Sequence, residues 1–320
     1  MARRVLVTGG AGFIGSNLCD ELLGRGFEVV VLDNLSTGNM NDVPAGVEFY
    51  QGDVRNPADL APIFEKGVDV VCHIAGQASI RLSFSDPTAD LEVNTLGTIN
   101  VLQQCIQHKV PRLIFASSMT IYGTPQIAPT PEETTPDPVA YYGVTKYAAE
   151  RYVHLTAARK DLGFDFNVTS MRMFNVYGVR QSLTNAYQGV LAIFIGRVLR
   201  GETIVIHSDG EQARDFVHVS DVVRAWADAI DTPATYQQVM NIGGGVATSI
   251  NQLCDLVLAA FGHTRQSYPV QYGQAQAGDI RLAMADITRA KTLMGWEPRM
   301  PFDRGMRETV EWAKSVMQQA

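Results

Sequence analysis

The segment Tyr142-Gly-Val-Thr-Lys146 carries side chains that can move a proton. Tyr142 and Lys146 are four residues apart, so on a helix their side chains share one face. A free tyrosine, with a pKa near ~10, is a poor base at neutral pH, and a neighbouring ammonium group favours its phenolate. Ser118 follows an apolar strand and can hydrogen-bond a substrate hydroxyl from which Tyr142 takes the proton. The Tyr/Lys spacing alone is common on helix surfaces, but together the three residues predict general-base catalysis.

The glycine-rich segment Val5–Gly15 predicts a phosphate-binding turn. Val5–Val7 is typical of a buried strand, and Gly9, Gly12 and Gly15 follow it before an amphipathic helical segment. A strand, a glycine turn and a helix present free backbone N–H groups to a pyrophosphate. In this arrangement Gly9 permits the tight turn, Gly12 the approach of the phosphates, and Gly15 close packing of the helix on the strand.

A second strand, Val29–Leu32, ends at Asp33. An acidic residue about 20 positions beyond the glycine turn hydrogen-bonds the adenosine ribose hydroxyls. Its charge repels a 2′-phosphate, so the sequence predicts NAD as the cofactor.

The first half of the chain alternates short apolar strands with helices. The predicted strands are Val5–Val7, Val29–Leu32, Val47–Tyr50, Val68–His73, Arg112–Ala116 and Phe166–Met171. The predicted helices are Ser16–Gly24, Asn56–Glu65, Ala89–Gln107 and Tyr142–Lys160. This alternation predicts an α/β fold with a doubly wound parallel sheet of the Rossmann type, in which ligands bind beyond the carboxyl ends of the strands.

The second half is less regular, with a proline-rich loop over Pro125–Pro138. Its predicted elements are strands Gly201–His207 and Val239–Ile242 and helices Val222–Ile230, Ser249–Phe261 (with Ser249 as N-cap), Asp286–Met294 and Asp303–Met317. We expect an NAD-binding Rossmann domain over residues 1–173 and a smaller C-terminal α/β substrate domain over 174–320. The chain is expected to return to the first domain around residues 216–244.

Composition excludes several classes of protein. The chain has 320 residues, 46% of them hydrophobic, which supports a sizeable core, and a net charge of −7, which gives no reason to expect nucleic acid as a partner. No apolar run approaches the ~20 residues of a membrane span, and too few apolar residues follow Arg3-Arg4 for a secretory signal. The four cysteines, all far apart, predict reduced thiols of a cytoplasmic protein, with no metal site or disulfide framework.

The glycines, Asp33, Ser118, Tyr142 and Lys146 occur in an order that resembles the extended short-chain dehydrogenase/reductase family. Within it the chain is most similar to the nucleotide-sugar branch typified by UDP-galactose 4-epimerase, over almost its whole length. The resemblance implies that NAD is contacted by Gly9, Gly12, Phe13, Ile14, Gly15, Asp33, Asn34, Ser36, Thr37, Gly38, Asp53, Val54, Ala75, Gln77, Asn94, Tyr142 and Lys146. Asn94 is expected to act mainly as a structural staple, and His73 as a residue that packs near the phosphates.

The resemblance also implies a substrate site in the second half. Asn175, within Arg172–Gly178, is expected to contact the diphosphate or the sugar. Arg214, and Arg281 in the Gly278-Asp-Ile-Arg281 segment, are expected to bracket the diphosphate, because guanidinium groups suit bidentate phosphate contacts. Further residues expected near the sugar are Arg81, Ser83, Tyr187 and Phe194, and Arg81 can meet the carboxylate of a glucuronate.

The two residues after Ser118 indicate which reaction of this family the chain is expected to catalyse. Dehydratases of this family carry an Asp-Glu pair there, and this chain carries Met119 and Thr120. The expectation is therefore epimerisation at C4 of a UDP-sugar by hydride abstraction, rotation of a 4-keto intermediate and hydride return, with Tyr142 as base. UDP-glucose/UDP-galactose is the first choice. UDP-glucuronate, UDP-N-acetylhexosamines, a net NAD-dependent oxidoreductase and a non-catalytic NAD-binding regulator stay open.

The resemblance further implies a homodimer built by two long helices per subunit. In this chain they correspond to Ala89–Gln107 and Tyr142–Lys160. Val153 and Leu155 are compatible with an interface and equally with packing inside one chain.

Overall fold

The computed structural model describes residues 2–183, 189–275 and 280–319. The strands of the described residues are β1 (Arg4–Thr8), β2 (Glu28–Asp33), β3 (Glu48–Gln51), β4 (Val70–His73), β5 (Arg112–Ser118), β6 (Asn167–Met173), β7 (Asn175–Tyr177), β8 (Ile204–His207), β9 (Ala213–His218), β10 (Gln238–Ile242), β11 (Ala247–Ser249), β12 (Val270–Gly273) and β13 (Leu282–Ala283). The α-helices are α1 (Phe13–Gly24), α2 (Pro57–Glu65), α3 (Ile80–Ser85), α4 (Pro87–Leu91), α5 (Gly97–Gln107), α6 (Tyr141–Ala157), α7 (Val190–Leu199), α8 (Val219–Ile230), α9 (Ile250–Ala260), α10 (Thr288–Met294) and α11 (Phe302–Gln319).

A seven-stranded sheet forms the centre of the fold, with strand order β3-β2-β1-β4-β5-β6-β10. Every neighbouring pair in it is parallel. The strand order reverses between β1 and β4, and in such sheets ligands bind beyond the carboxyl ends of the strands at that point. The predicted α/β class and parallel sheet are confirmed.

Helices cover both faces of this sheet, which is why its strands are apolar in runs. On one face Val5 and Val7 of β1 pack with Leu18 of α1 and Trp226 of α8. On the other face Leu6 packs in a cluster that includes residues of α2, α5 and α6. Alternate residues of β1 therefore pack into two separate hydrophobic cores.

The chain leaves the central sheet after β6 and returns to it at β10. In between, β7 and β9 pair in parallel, and β9 also pairs with β11 and β13. A separate parallel pair joins β8 and β12. α8 packs on α1, and β10 then pairs with β6, so the returning segment builds part of the central layer.

Some elements differ from the sequence prediction. The helix predicted over Ala89–Gln107 consists of α4, a π-helical turn over Glu92–Leu96, and α5. Neither α7 nor β9 was predicted. α7 is apolar on nearly all sides, and a short apolar run does not distinguish helix from strand by periodicity. β9 contains a buried aspartate, Asp215, whose partners come from distant residues.

Candidate active site

The glycine turn between β1 and α1 accepts only glycine at two positions. Gly9 has φ +73°, in the left-handed region, and a Cβ on Gly15 would overlap the carbonyl oxygen of Gly9. Phe13 and Ile14 form the first turn of α1 directly after Gly12, which has no capping side chain. The first N–H groups of a helix have no partner within the helix, so they are available to an anion here.

Asp33 closes β2 beside this turn. Its carboxylate accepts the N–H of Ala11 at 2.9 Å and that of Leu35 at 2.8 Å. A carboxylate oxygen has two lone pairs, so both oxygens can still accept a hydroxyl group. Gly38 lies against Ala11, where a Cβ would come within 2.9 Å of the carbonyl carbon. Gly38 belongs to the segment after β2 that is predicted to contact NAD, together with Asn34, Ser36 and Thr37. This segment therefore folds onto the start of α1.

Asp53 is held by side chains of the chain itself. It accepts hydrogen bonds from Asn34 Nδ2 at 2.8 Å and from two nitrogens of Arg55 at 3.0 and 2.8 Å. The hydrogen bond from Arg55 lowers the pKa of Asp53 to about 2, so the carboxylate is ionised at neutral pH. Val54 is buried against Gly97. Asn34 thus connects the segment after β2 to Asp53, which is also predicted to contact NAD.

The segment after β4 packs against the glycine turn. A Cβ on Gly9 would come within 2.8 Å of Ala75 N, which itself donates to Thr8 O at 2.9 Å. Gln77 N donates to Asn94 Oδ1 at 2.9 Å, and Asn94 Nδ2 donates to Gln77 O at 3.1 Å. Asn94 therefore fastens the π-helical turn to the segment that contains Ala75 and Gln77.

His73 is a buried structural residue. Its Nδ1 lies 2.7 Å from Thr8 Oγ1 and its Nε2 lies 3.0 Å from Thr98 Oγ1. Burial, helped by the positive charge of Lys146, lowers the pKa of His73 to about 3. The imidazole is neutral at physiological pH and ties β4 to β1 and α5.

Ser118, Tyr142 and Lys146 converge at the carboxyl end of β5. Ser118 is the last residue of this strand, and Tyr142 lies in the first turn of α6. An interaction with the Ser118 hydroxyl acts to lower the pKa of the Tyr142 phenol. One helical turn further along, Lys146 Nζ lies 4.5 Å from the ring centroid of Phe115 on β5. The structure therefore brings together the three residues that the sequence predicts to be catalytic.

The pKa of Tyr142 is raised in this structure. Burial disfavours the phenolate, and this effect exceeds the lowering by the hydrogen bond of Ser118; the charge of Asp90 adds to the rise. The sequence predicts the opposite direction, with Lys146 lowering the pKa of Tyr142. In the structure the pKa of Tyr142 shifts upward instead, because desolvation of the phenol is the largest contribution.

Lys146 is buried and has a pKa lowered to about 8. Desolvation disfavours its ammonium form, and the negative charges of Asp90 and Glu150 oppose that shift. Lys146 is therefore a cation at neutral pH and loses its charge as the pH rises through about 8.

The predicted substrate residues lie on the smaller sheet. Asn175 of β7 donates to Asp215 O at 2.9 Å and lies 3.8 Å from Met119 Sδ, which places it beside the residue that follows Ser118. Arg214 of β9 donates to Ala213 O at 3.0 Å and to Ile280 O.

Arg281 precedes β13, the strand that pairs with β9. Its carbonyl oxygen accepts the N–H of Ala213 at 2.9 Å, so Arg281 lies beside β9, the strand that contains Arg214. Arg281 also forms an exposed ion pair with Asp209 at 2.7 Å. The other motif members Gly278 and Asp279 lie outside the described residues, as does Tyr187.

The remaining residues expected near the sugar have different surroundings. Arg81 is exposed on α3, whereas Ser83 of the same helix is buried and donates to Ile80 O at 2.7 Å. Phe194 of α7 is buried in an apolar cluster with Phe216. Of the three members that the structure describes, Arg81 is the one exposed to solvent.

Comparison with known proteins identifies the family. A family model described as the NAD dependent epimerase/dehydratase family matches residues 5–243. The chain belongs to the NAD-dependent epimerase/dehydratase family. A putative UDP-glucose 4-epimerase of Methanocaldococcus jannaschii is 36% identical over 312 residues, which are 97% of this chain and 98% of that protein. The predicted family and its cofactor, NAD, are confirmed.

Solved structures of this family match the whole fold. A UDP-glucose 4-epimerase from Thermotoga maritima, with UDP-glucose, is 37% identical with a TM-score of 0.92, covering 98% of this chain and 99% of that one. A UDP-glucose 4-epimerase from Thermus thermophilus, in complex with NAD, is 36% identical with a TM-score of 0.89 and the same coverage.

Asp90, which no sequence pattern singled out, is a completely buried carboxylate beside the predicted catalytic residues. It accepts hydrogen bonds from Thr145 at 2.6 Å, Gln77 at 2.7 Å and Asn94 at 3.1 Å. Burial raises the pKa of Asp90. In the sequence Asp90 lies in a predicted helix without any special pattern, and its burial results from contacts with the π-helical turn, α6 and the segment after β4.

Glu150 was also missed. It forms a buried ion pair with Arg172 of β6 at 2.6 Å and accepts the Ser117 hydroxyl at 2.6 Å. Arg172 also donates to Tyr122 Oη at 3.0 Å. This network holds the last residues of β5 against α6. Its only signal in the sequence is that Glu150 follows Lys146 by four residues and so lies on the same helix face.

Asp215 links the smaller sheet to the end of β10. Its buried carboxylate accepts the N–H groups of Gly244, of Gly245 at 2.9 Å and of Ala285 at 2.9 Å. Burial nevertheless raises the pKa of Asp215 to about 6.

No helix among the described residues is both long and apolar enough to cross a membrane.

Proposed function

We propose that the chain catalyses NAD-dependent epimerisation at C4 of a UDP-sugar, with UDP-glucose and UDP-galactose as the first choice. The observation that carries this proposal is the convergence of Ser118, Tyr142 and Lys146 beside Met119 and Thr120, which lack the acids that a dehydratase needs. The similarity to UDP-glucose 4-epimerases over nearly the whole chain supports it.

The cofactor region fits NAD. The start of α1 offers N–H groups where a side chain at Gly15 would not fit, and Asp33 keeps lone pairs free for ribose hydroxyls. We assign NAD binding to these residues and to the others predicted from the sequence. Bound NAD supplies a reversible hydride acceptor for C4 of the sugar.

The side chains of this protein supply the proton transfer and the positioning. Tyr142 takes the proton of the sugar 4-hydroxyl, and Ser118 hydrogen-bonds the same hydroxyl. Lys146 is a cation at neutral pH and favours the phenolate against burial. Arg214 and Arg281 hold the diphosphate, which requires Arg281 to exchange its exposed partner Asp209 for phosphate oxygens.

The substitution Tyr142→Phe tests the catalytic assignment. It removes the phenolic oxygen and keeps the ring, so we expect turnover to fall by at least roughly 100-fold while NAD binding persists. The matched control is Tyr141→Phe, because Tyr141 is the adjacent residue and is 49% exposed. Epimerisation is followed by NMR of the nucleotide sugar. A Tyr142→Phe protein with wild-type turnover contradicts the proposal.

The sugar is identified by incubation of the purified protein with UDP-galactose, UDP-N-acetylgalactosamine or UDP-glucuronate, without added NAD. The expected result is the C4 epimer of UDP-galactose, formed with cofactor that the protein retained. Turnover of UDP-glucuronate alone would assign Arg81 to the carboxylate. Net redox turnover that needs added NAD would favour an oxidoreductase, and retained NAD without any turnover would favour a regulator.

We also infer a homodimer. Several large apolar side chains are exposed on the two helical segments that the family resemblance assigns to the interface: Leu91, Leu96, Val144, Tyr152 and Leu155. Exposed apolar residues grouped in this way are typical of a protein interface. Val153, by contrast, is fully buried within its own chain.

We also infer which ligand each half of the chain binds, and the cellular compartment of the protein. Residues 1–173 bind NAD and residues 174–320 bind the nucleotide sugar, with the returning segment α8–β10 completing the first half. The four cysteines are free and buried, which supports a cytoplasmic location.

A further inference from the structure

Thr120 contacts the Ser118 hydroxyl through two different donors. Ser118 Oγ accepts the backbone N–H of Thr120 at 3.2 Å and lies 2.9 Å from Thr120 Oγ1. A serine hydroxyl has two lone pairs and one proton. The backbone N–H can only donate, so one lone pair of Ser118 is committed to it.

The turn that contains Thr120 is fixed relative to Tyr142. It is a short 3₁₀ helix over Met119–Tyr122, capped by Ser118. Gly143, the residue after Tyr142, lies so close that a Cβ there would come within 2.7 Å of Thr120 O. The positions of Thr120, Ser118 and the start of α6 are therefore set by one packed contact.

The ionisation state of Tyr142 then determines the direction of the hydrogen bonds. The Ser118 hydroxyl acts to lower the pKa of Tyr142. A phenolate can only accept, so Ser118 can hydrogen-bond ionised Tyr142 only by donating its single proton. The remaining lone pair of Ser118 can then only accept from Thr120 Oγ1. Before the sugar binds, the hydrogen bonds therefore run from Thr120 to Ser118 to Tyr142. When the sugar 4-hydroxyl lies beside Tyr142, Ser118 can donate the same proton to the oxygen of that hydroxyl.

We propose that Thr120 is a positioning residue whose hydroxyl holds the Ser118 proton toward Tyr142 and so stabilises the phenolate that acts as the base. The inference rests on the proposed function. In the reaction the O–H bond of the sugar breaks and an O–H bond forms at Tyr142 Oη. Thr120 keeps its own proton throughout, which agrees with its lack of acid–base chemistry.

Other charges also act on Tyr142 and remain constant in the test. Besides Tyr142, the charged or titratable side chains on α6 and on the elements packed against it are Arg81, Asp90, Glu92, Cys105, Arg112, Tyr122, Tyr141, Lys146, Tyr147, Glu150, Arg151, Tyr152, His154 and Arg172. None of them is altered when Thr120 is replaced. A difference between Thr120 variants therefore reports the hydroxyl at that position.

The test compares Thr120→Val, which removes the hydroxyl at nearly constant volume, with Thr120→Ser, which keeps it. For Thr120→Val we expect the acid limb of the kcat/KM–pH profile, which reports the enzyme without bound sugar, to move to higher pH. We expect kcat at neutral pH to fall roughly five- to ten-fold, the effect of one lost hydrogen bond, with little change in KM. Thr120→Ser should restore both quantities to near wild type.

A second readout does not depend on activity. Ultraviolet difference titration of tyrosinate, with the matching Tyr142→Phe protein as the blank, reports the phenol of Tyr142 directly. We expect Thr120→Val to raise its pKa and Thr120→Ser to leave it unchanged. Should Thr120→Val not fold, Thr120→Ala removes the same hydroxyl and carries the same expectation.

Two results would overturn the inference. One is a Thr120→Val protein with the wild-type pH profile and titration. The other is a Thr120→Ser protein as impaired as Thr120→Val, since the hydroxyl would then not be the group that matters. If the wild-type chain turns over no UDP-sugar, the proposed function fails, while the titration still tests the link between Thr120 and Tyr142.

Discussion

At the scale of single residues, two buried carboxylates influence the lysine of the site. Asp90 lies on α4 and Glu150 lies one helical turn beyond Lys146 on α6, and each favours the ammonium form of Lys146 against burial. The balance leaves Lys146 with a pKa of about 8. Its charge is present below that value and is lost as the pH rises through it, so activity that needs the cation should decline on the alkaline side.

The substitution Asp90→Asn should therefore move the alkaline limb of the kcat–pH profile to lower pH. Removal of the negative charge leaves burial less opposed, so Lys146 loses its proton more readily. The profile is measured with the assay used for the wild type. Glu65→Gln, at an exposed position at the end of α2, is the control and should leave the limb in place. An unchanged or upward-shifted limb in Asp90→Asn would refute the role of Asp90.

At the scale of elements, the strand–turn–helix at the start of the chain was predictable because all its determinants are local. Val5–Val7, the glycines and the first turn of α1 follow one another within a few residues. The strand β1 extends one residue beyond Val5–Val7 at each end, and α1 ends at Gly24 as predicted but begins at Phe13, before the predicted start at Ser16. The interruption of the helix over Ala89–Gln107 was not predictable, because the buried partners of Asn94, namely Gln77 and Thr145, are distant in sequence.

A pair of substitutions in α1 tests the packing of the glycine turn. Gly15→Ala should destabilise the protein by about 1–3 kcal/mol and reduce its retained NAD, because the new methyl group meets the backbone of Gly9. Gly24→Ala, in the last turn of the same helix, has nothing within 4 Å and should stabilise it by about 0.5–1 kcal/mol.

Denaturant unfolding and the NAD content of the purified proteins measure both effects. Equal behaviour of the two variants would mean that helix propensity, rather than the contact of Gly15 with Gly9, governs this turn.

At the scale of the whole molecule, long-range side-chain contacts join the halves of the chain. Arg172 of β6 connects Glu150 of α6 to Tyr122, and Tyr122 donates to Asn241 of β10 at 2.7 Å. Asp215 of β9 holds the glycines that follow β10. The catalytic end of β5 and the predicted substrate strands therefore belong to one connected structure, whose parts no local sequence pattern relates.

The proposed dimer is tested by Leu155→Glu. Leu155 is 57% exposed on α6, and a charge at that position would have to be desolvated in an interface. We expect the wild type to sediment as a dimer and Leu155→Glu as a monomer. Val316→Glu on α11, which is 40% exposed, is the control and should remain dimeric. A monomeric wild type, or a dimeric Leu155→Glu protein, would contradict the proposed interface.

The sequence by itself determined the parallel α/β fold, the glycine turn, Asp33 and the group of Ser118, Tyr142 and Lys146. The fold, the turn, Asp33 and the Tyr142/Lys146 pair follow from periodicity and from short spacings, which fix local geometry. Ser118 was added to that pair by its position at the end of a strand and by the family resemblance. Only the tertiary structure decided that burial raises the pKa of Tyr142, that Asp90 and Glu150 act on Lys146, and that Thr120 contacts Ser118. Desolvation, charge pairing and hydrogen-bond direction depend on which distant segments enclose a side chain, and packing of the whole chain sets that enclosure.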